Sequence, residues 1–171
     1  MHIWIAVYTK SRHEKSVNEL LHKKNIQSFL PLIKVKRKWS DRYKWIEKPL
    51  FKGYLFVKSD KNNYFNIVQT HGVHHIVKIG GKIIPIAESE IQGIQKLIEV
   101  GFKLEPADYF NVGDEVEISG GPLKGLRGYI AHSKGKDTFV LKIDTIQQAI
   151  QCQIERRWLK IITRKPIELN I

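Results

Sequence analysis

Residues 3–9, IWIAVYT, carry apolar side chains on both alternating sets, Ile3–Ile5–Val7 and Trp4–Ala6–Tyr8. A strand apolar on two faces is covered on both sides, so this segment predicts an inner strand. The period then changes. Val17, Leu20 and Leu21 form one stripe of a helix over 12–24, and Ser11 with Glu14 three places on has capping-box spacing. Asn25 is placed to stop that helix. Residues 26–36 predict a strand interrupted at Pro31, whose missing N–H suits an edge or a bulge. Residues 36–48, KRKWSDRYKWIEK, predict a charged hairpin turning at Ser40–Asp41. Residues 50–57, LFKGYLFV, predict a strand in which Gly53 marks a bulge or a close approach. A short helix over 61–69 follows, then a turn at His71–Gly72, a strand over 73–79 and a short hairpin partner over 82–86. Ile91, Ile94, Leu97 and Ile98 predict a helix over 88–98 that contains Gly93.

Periodicity fades over 99–109, which reads as a linker. From Asn111 onward the strands are short and closely spaced. Glu115–Ile118 and Thr138–Ile143 alternate, Gly120–Gly121–Pro122 turns the chain, and Ser133–Asp137 is a polar turn. The pattern predicts an α+β chain: an amino-terminal antiparallel sheet with packed helices over 1–98, the linker, a small β-barrel over 110–163, and a tail over 164–171.

Charge changes the picture from architecture to partner. The chain has a formal net charge of +12. Residues 1–100 hold 18 Lys or Arg against 8 Asp or Glu, and residues 101–171 hold 11 against 9. A surplus concentrated in this way points to nucleic acid met by the first part of the chain. The single cysteine, Cys152, excludes a disulfide framework and a zinc cluster and suits a reducing compartment. The first residues turn polar too soon for a signal-peptide core, and no apolar run is long enough to span a bilayer, so a cytoplasmic chain without membrane attachment is expected. A monomer is expected as well. Seven histidines are scattered. His74–His75 lacks a carboxylate at ligand spacing, and Gly80–Gly81–Lys82 lacks the full phosphate-loop pattern. No metal, no cofactor and no catalytic group is expected, so the chain reads as a binding protein rather than an enzyme.

In the last third, Gly120, Gly121, Gly125 and Gly128 surround Pro122 and Leu123. Glycine tolerates positive φ and close backbone contact, while proline fixes a turn dihedral. The expected product is a rigid loop anchored by Leu123 and Leu126, with Lys124 and Arg127 exposed. Gly113–Asp114–Glu115–Val116, Gly121–Pro122–Leu123–Lys124–Gly125 and Gly128–Tyr129–Ile130 resemble a KOW motif. Trp4, Ala6, Tyr8, Glu14–Lys15, Phe29–Pro31, Leu50–Val57 and Gly72–Val73 match the order and spacing of the NusG amino-terminal (NGN) domain. Together they resemble the NusG family of transcription elongation factors, an NGN domain followed by an SH3-like KOW barrel. The closer resemblance is to the specialised paralogues of the UpxY and RfaH type, which act on selected operons such as those for surface polysaccharide; Tyr8–Lys15 and Lys38–Arg42 with Pro49–Phe51 look especially like the UpxY type.

That resemblance implies binding to RNA polymerase at the clamp helices of its largest catalytic subunit, with Trp4, Tyr8, Phe51, Tyr54 and Phe56 as docking residues. It also implies contact with the non-template DNA strand. Lys10, Arg12 and His13 are the candidates, joined by Lys36, Arg37, Lys38, Arg42 and Lys44, whose basic groups between aromatics suit single-stranded nucleic acid. Pro122, Leu123, Lys124 and Arg127 would form a partner surface, with ribosomal protein S10 as a candidate. Asp144–Ala149 stands where housekeeping members carry a Phe-Gly-Arg run, which weakens an expected contact with Rho. The rival reading is a KOW-type RNA-binding or ribosome-associated protein.

Overall fold

The computed structural model describes residues 1–133 and 136–166. The tip of the expected turn at 133–137 and the end of the tail over 164–171 lie outside them. The chain divides into two compact units, Met1–Glu88 and a second beginning at Ser89.

The first unit runs β1 (Ile3–Thr9), α1 (Glu14–Lys23), β2 (Gln27–Phe29), β3 (Leu32–Lys38), β4 (Tyr43–Pro49), β5 (Tyr54–Ser59), α2 (Tyr64–Val68) and β6 (Val73–Ile76). Four strands form an antiparallel sheet in the order β2-β5-β1-β6, so the doubly apolar β1 is an inner strand. One side of the sheet packs Ile5, Val7, Leu55 and Val57 against Val17 and Leu21 of α1 and Ile67 of α2. The other side carries Trp4, Phe29, Phe51 and Phe56. Strands β3 and β4 stand apart as a two-stranded ribbon.

Local chemistry moves several boundaries. The capping box does not form. Arg12 adopts φ 63°, which turns the chain once more before the helix and makes His13 the N-cap, without a side-chain cap hydrogen bond. Glu14 instead points inward, and its Oε1 accepts the Gly53 N–H at 2.8 Å. Asn25 does stop the helix, at φ 58°. Strand β5 begins only at Tyr54, because Gly53 takes φ 83° and the Tyr54 N–H closes a turn on the Phe51 carbonyl. Residues 82–86 contribute isolated bridges, Ile79↔Lys82 and Trp4↔Ile86, rather than a paired strand.

The second unit contains α3 (Glu88–Val100) from Ser89 on, then β7 (Glu105–Ala107), β8 (Glu115–Ile118), β9 (Arg127–Ser133), β10 (Lys136–Ile143), β11 (Gln148–Cys152) and β12 (Leu159–Thr163). Gly93 of α3 lets the helix approach closely, since a Cβ there would lie 2.6 Å from Leu126 Cδ1. The expected barrel is not formed. The strands make one antiparallel sheet in the order β12-β8-β9-β10-β11-β7, with β12 and β7 as unjoined ends. Edge strand β7 is three residues long and centred on Pro106, which has no N–H to offer a second ladder. At the opposite edge, the β12 register shifts between Ile161 and Thr163. Closure would need those two edges to pair.

Candidate functional site

Four rings gather at one end of the first sheet. Tyr8 and Tyr54 are register partners, and their ring centroids lie 5.0 Å apart. On the other side of β1, Tyr8 pairs with His75 and Thr9 with Val73, so the register slips past His74. That bulge brings two neighbouring histidines to one tyrosine: the His74 and His75 rings lie 5.8 and 5.4 Å from Tyr8. The two Nδ1 atoms are 2.7 Å apart, so one ring donates and the other accepts. Partial burial, and then His74, push the His75 pKa down. Burial, and then Tyr8, push the Tyr54 pKa up. Both shifts favour uncharged rings, which suits an aromatic contact patch.

The expected docking residues separate by exposure. Tyr8 and Tyr54 are half-buried, whereas Trp4, Phe51 and Phe56 are 3%, 1% and 0% exposed. Phe51 meets Phe56 edge-on at 5.9 Å, and the Trp4 Nε1–H donates to Glu88 Oε2 at 2.9 Å. These three support the sheet. Gly53 lies against the tyrosines, and a Cβ there would sit 2.8 Å from Tyr8 Cε2.

The turn after β1 is held from both sides. The Thr9 N–H donates to the Gly53 carbonyl and the Lys10 N–H to the Gly72 carbonyl, each at 2.8 Å. Lys10 and Arg12 are exposed, and His13 is half-buried against His71. Lys10, Arg12 and His13 share this turn, which the His13 N–H closes by donating to the Lys10 carbonyl at 3.1 Å. The ribbon holds the other basic candidates, Lys36, Arg37, Lys38, Arg42 and Lys44, all exposed. Trp39, Tyr43 and Trp45 are exposed among them. Lys36 Nζ lies 4.6 Å from the Tyr43 ring centre, and Lys44 Nζ lies 5.9 Å from that of Trp39. Lys15 of α1 ties the ribbon down by donating to the Glu47 carbonyl at 3.1 Å.

In the second unit, Gly121–Leu123 form a tight helical turn in which Leu123 is buried and Pro122 exposed. Lys124 is exposed, and exposed Arg127 pairs with Glu117 at 3.0 Å. Gly121 has φ 72°, and a Cβ on it would lie 2.7 Å from the Trp158 ring, so this loop is closed over an indole. Asp144 in the divergent segment accepts the Tyr109 O–H at 2.8 Å, which pushes that phenol's pKa up to about 12. Lys142 lies 4.1 Å from the Tyr109 ring centre and 5.2 Å from that of Tyr129.

Patterning did not find His74 and His75, because strict alternation places neighbours on opposite faces. Only the bulge brings both to Tyr8. Among the described residues no group of three His, Cys, Asp or Glu could hold a metal ion, and no helix is long and apolar enough to cross a membrane.

The chain resembles solved structures along nearly its whole length. "Domain interaction in Thermotoga maritima NusG" matches with a TM-score of 0.57 and 22% identity, covering 95% of this chain and 98% of that one. A MjSpt4:Spt5 complex, in conformation A, matches with a TM-score of 0.31 and 21% identity, covering 95% of this chain and 100% of that one. The model of the family described as "Transcription termination factor nusG" matches residues 2–95, more than half of the chain. With its amino-terminal α+β unit and following KOW-type β unit, the chain belongs to the NusG family of transcription elongation factors, regulators that act by binding and catalyse no reaction.

Proposed function

We propose that this protein is a specialised antitermination factor of the UpxY and RfaH kind, which binds RNA polymerase and promotes read-through of selected operons, surface polysaccharide operons among them. The observation that carries the reading is the Tyr8–Tyr54–His74–His75 ring cluster lying next to the exposed Lys10 and Arg12. Tyr8 and Tyr54 dock on the clamp helices of the largest subunit, with Trp4, Phe51 and Phe56 as the packed layer that holds them in place. Lys10, Arg12 and His13, with Lys36, Arg37, Lys38, Arg42 and Lys44 of the ribbon, meet the non-template strand. Pro122, Lys124 and Arg127, on a loop anchored by the buried Leu123, present the KOW surface to ribosomal protein S10, and the divergent Asp144–Ala149 run weakens a contact with Rho. The operon preference is supported by the Tyr8–Lys15 and Lys38–Arg42 segments and by the divergent Asp144–Ala149 run.

The test uses purified polymerase and transcription on candidate leader templates. Tyr54→Ala is chosen over Phe51→Ala, because removing a ring 1% exposed would cost about 3–5 kcal/mol of fold stability. Tyr54→Ala should weaken polymerase capture at least tenfold and abolish read-through while the thermal unfolding profile is kept. Normal capture by a folded Tyr54→Ala protein sinks the docking assignment. Retention of the parent protein by ribosomes but not by polymerase would favour the ribosome-associated alternative.

A further inference from the structure

On a regular strand, neighbouring side chains point to opposite faces. His74 and His75 are neighbours on β6, yet both rings lie against Tyr8. Their ring centres are 4.9 Å apart, their planes meet at 79°, and the two Nδ1 atoms are 2.7 Å apart. Both residues are exposed. Histidines elsewhere turn a ring nitrogen on an oxygen. His13 Nδ1 meets the Ser11 carbonyl at 2.9 Å, His22 Nε2 the Ser28 carbonyl at 3.2 Å, and His132 Nδ1 the Asp137 carboxylate at 2.6 Å. At His74 and His75 two nitrogens face each other instead.

We propose that His74 and His75 form a two-nitrogen chelate for one divalent transition-metal ion: zinc, nickel or copper(II). Imidazole nitrogens bind zinc at about 2.0–2.1 Å, so two of them at an angle of roughly 90–110° stand about 2.9–3.4 Å apart. The pair therefore has to open by only about 0.2–0.7 Å. The ring that donates the hydrogen bond need only move its proton to Nε2, and both Nδ1 lone pairs become available without a proton leaving the protein. The two ligands also act together. Once one nitrogen holds the ion, the other is presented to it at high effective concentration. Tyr8 packs against both imidazoles and keeps them on one side of the strand. Exposure leaves the other coordination positions to water, so the site is open rather than closed. A donor set of nitrogen alone selects against magnesium and calcium, which take oxygen ligands. Among the described residues no third His, Cys, Asp or Glu joins the pair, and motif spacing does not reveal it for that reason. Binding here is independent of polymerase docking and is measured without polymerase.

The experiment is calorimetric titration of the full chain, free of any affinity tag, with zinc chloride and with magnesium chloride. The parent should bind zinc at this pair and no magnesium. Loss of a group that merely supports a ligand already costs about 10–100-fold in metal affinity, so His74→Ala and His75→Ala should each cost at least about tenfold. His2→Ala, His13→Ala and His132→Ala lie outside the pair and should each change it less than about twofold. An alanine could also disturb the bulge, so the parent's own imidazoles are followed by nitrogen-resolved NMR. Zinc should move the Nδ1 signals of His74 and His75 ahead of those of the other histidines. A parent that binds no zinc, or binds magnesium equally well, overturns the proposal. So does zinc affinity kept in both alanine variants, an equal loss in His132→Ala, or His74 and His75 signals that stay still.

Discussion

Gly53 meets three demands at one residue. Its N–H is taken by Glu14, its carbonyl accepts the Thr9 N–H, and its missing Cβ leaves room for the Tyr8 ring. Its φ of 83° adds a fourth reason for glycine. Gly53→Ala should lower stability by about 1–3 kcal/mol in urea unfolding. Glu14→Ala should cost a similar ~1–3 kcal/mol, because it leaves a buried N–H without an acceptor; an unchanged unfolding midpoint would show that water replaces the carboxylate. The His75 shift carries a sign. Its folded pKa lies below the ordinary value near 6.5, so the neutral ring is favoured in the fold. Stability from this source is present above about pH 6.5 and is lost as pH falls through the lowered folded pKa. The melting temperature should therefore drop between pH 7 and pH 5, and His75→Gln should flatten that drop. Cys152 is buried, and burial pushes its thiol pKa up to about 12. It should resist iodoacetamide at pH 8 until denaturant is added; rapid labelling of the folded chain would contradict that burial.

Among the elements, those read from strong periodicity kept their places. Strand β1 coincides with the doubly apolar Ile3–Thr9, and α1 follows the Val17–Leu21 stripe. Features decided by tertiary geometry were hidden. Glu14 had cap spacing, yet a buried N–H elsewhere in the fold claimed its carboxylate. The histidine pair needed a bulge that alternation does not encode. The open sheet was missed because strand spacing predicts pairing between neighbours but does not say whether the ends meet. The turn after α1 offers a test of local strain: Asn25 sits at φ 58°, so Asn25→Gly should raise stability by about 0.5–1 kcal/mol, read from the urea midpoint. A fall would mean that the asparagine side chain contributes more than the backbone strain costs.

Across the whole molecule, charge and contact chemistry fall in the same unit. The ribbon between residues 32 and 49 alone holds seven Lys or Arg against two Asp or Glu. Affinity for single-stranded DNA should fall linearly with log salt, and substitutions at Lys124 and Arg127 in the second unit should leave that slope unchanged. A slope that drops with them would place the DNA contact in the second unit instead. Gly53 also has a consequence at this scale. Through Glu14 and Thr9 it ties the tyrosine patch to the turn that carries Lys10 and Arg12. A partner held at the tyrosines would keep any strand beside it at a fixed distance from those cations. The second contact would then be an intramolecular event, governed by effective concentration rather than by its own affinity. Weak contacts of that kind select well: they register a matching sequence while the carrier is in place and let go when it moves on.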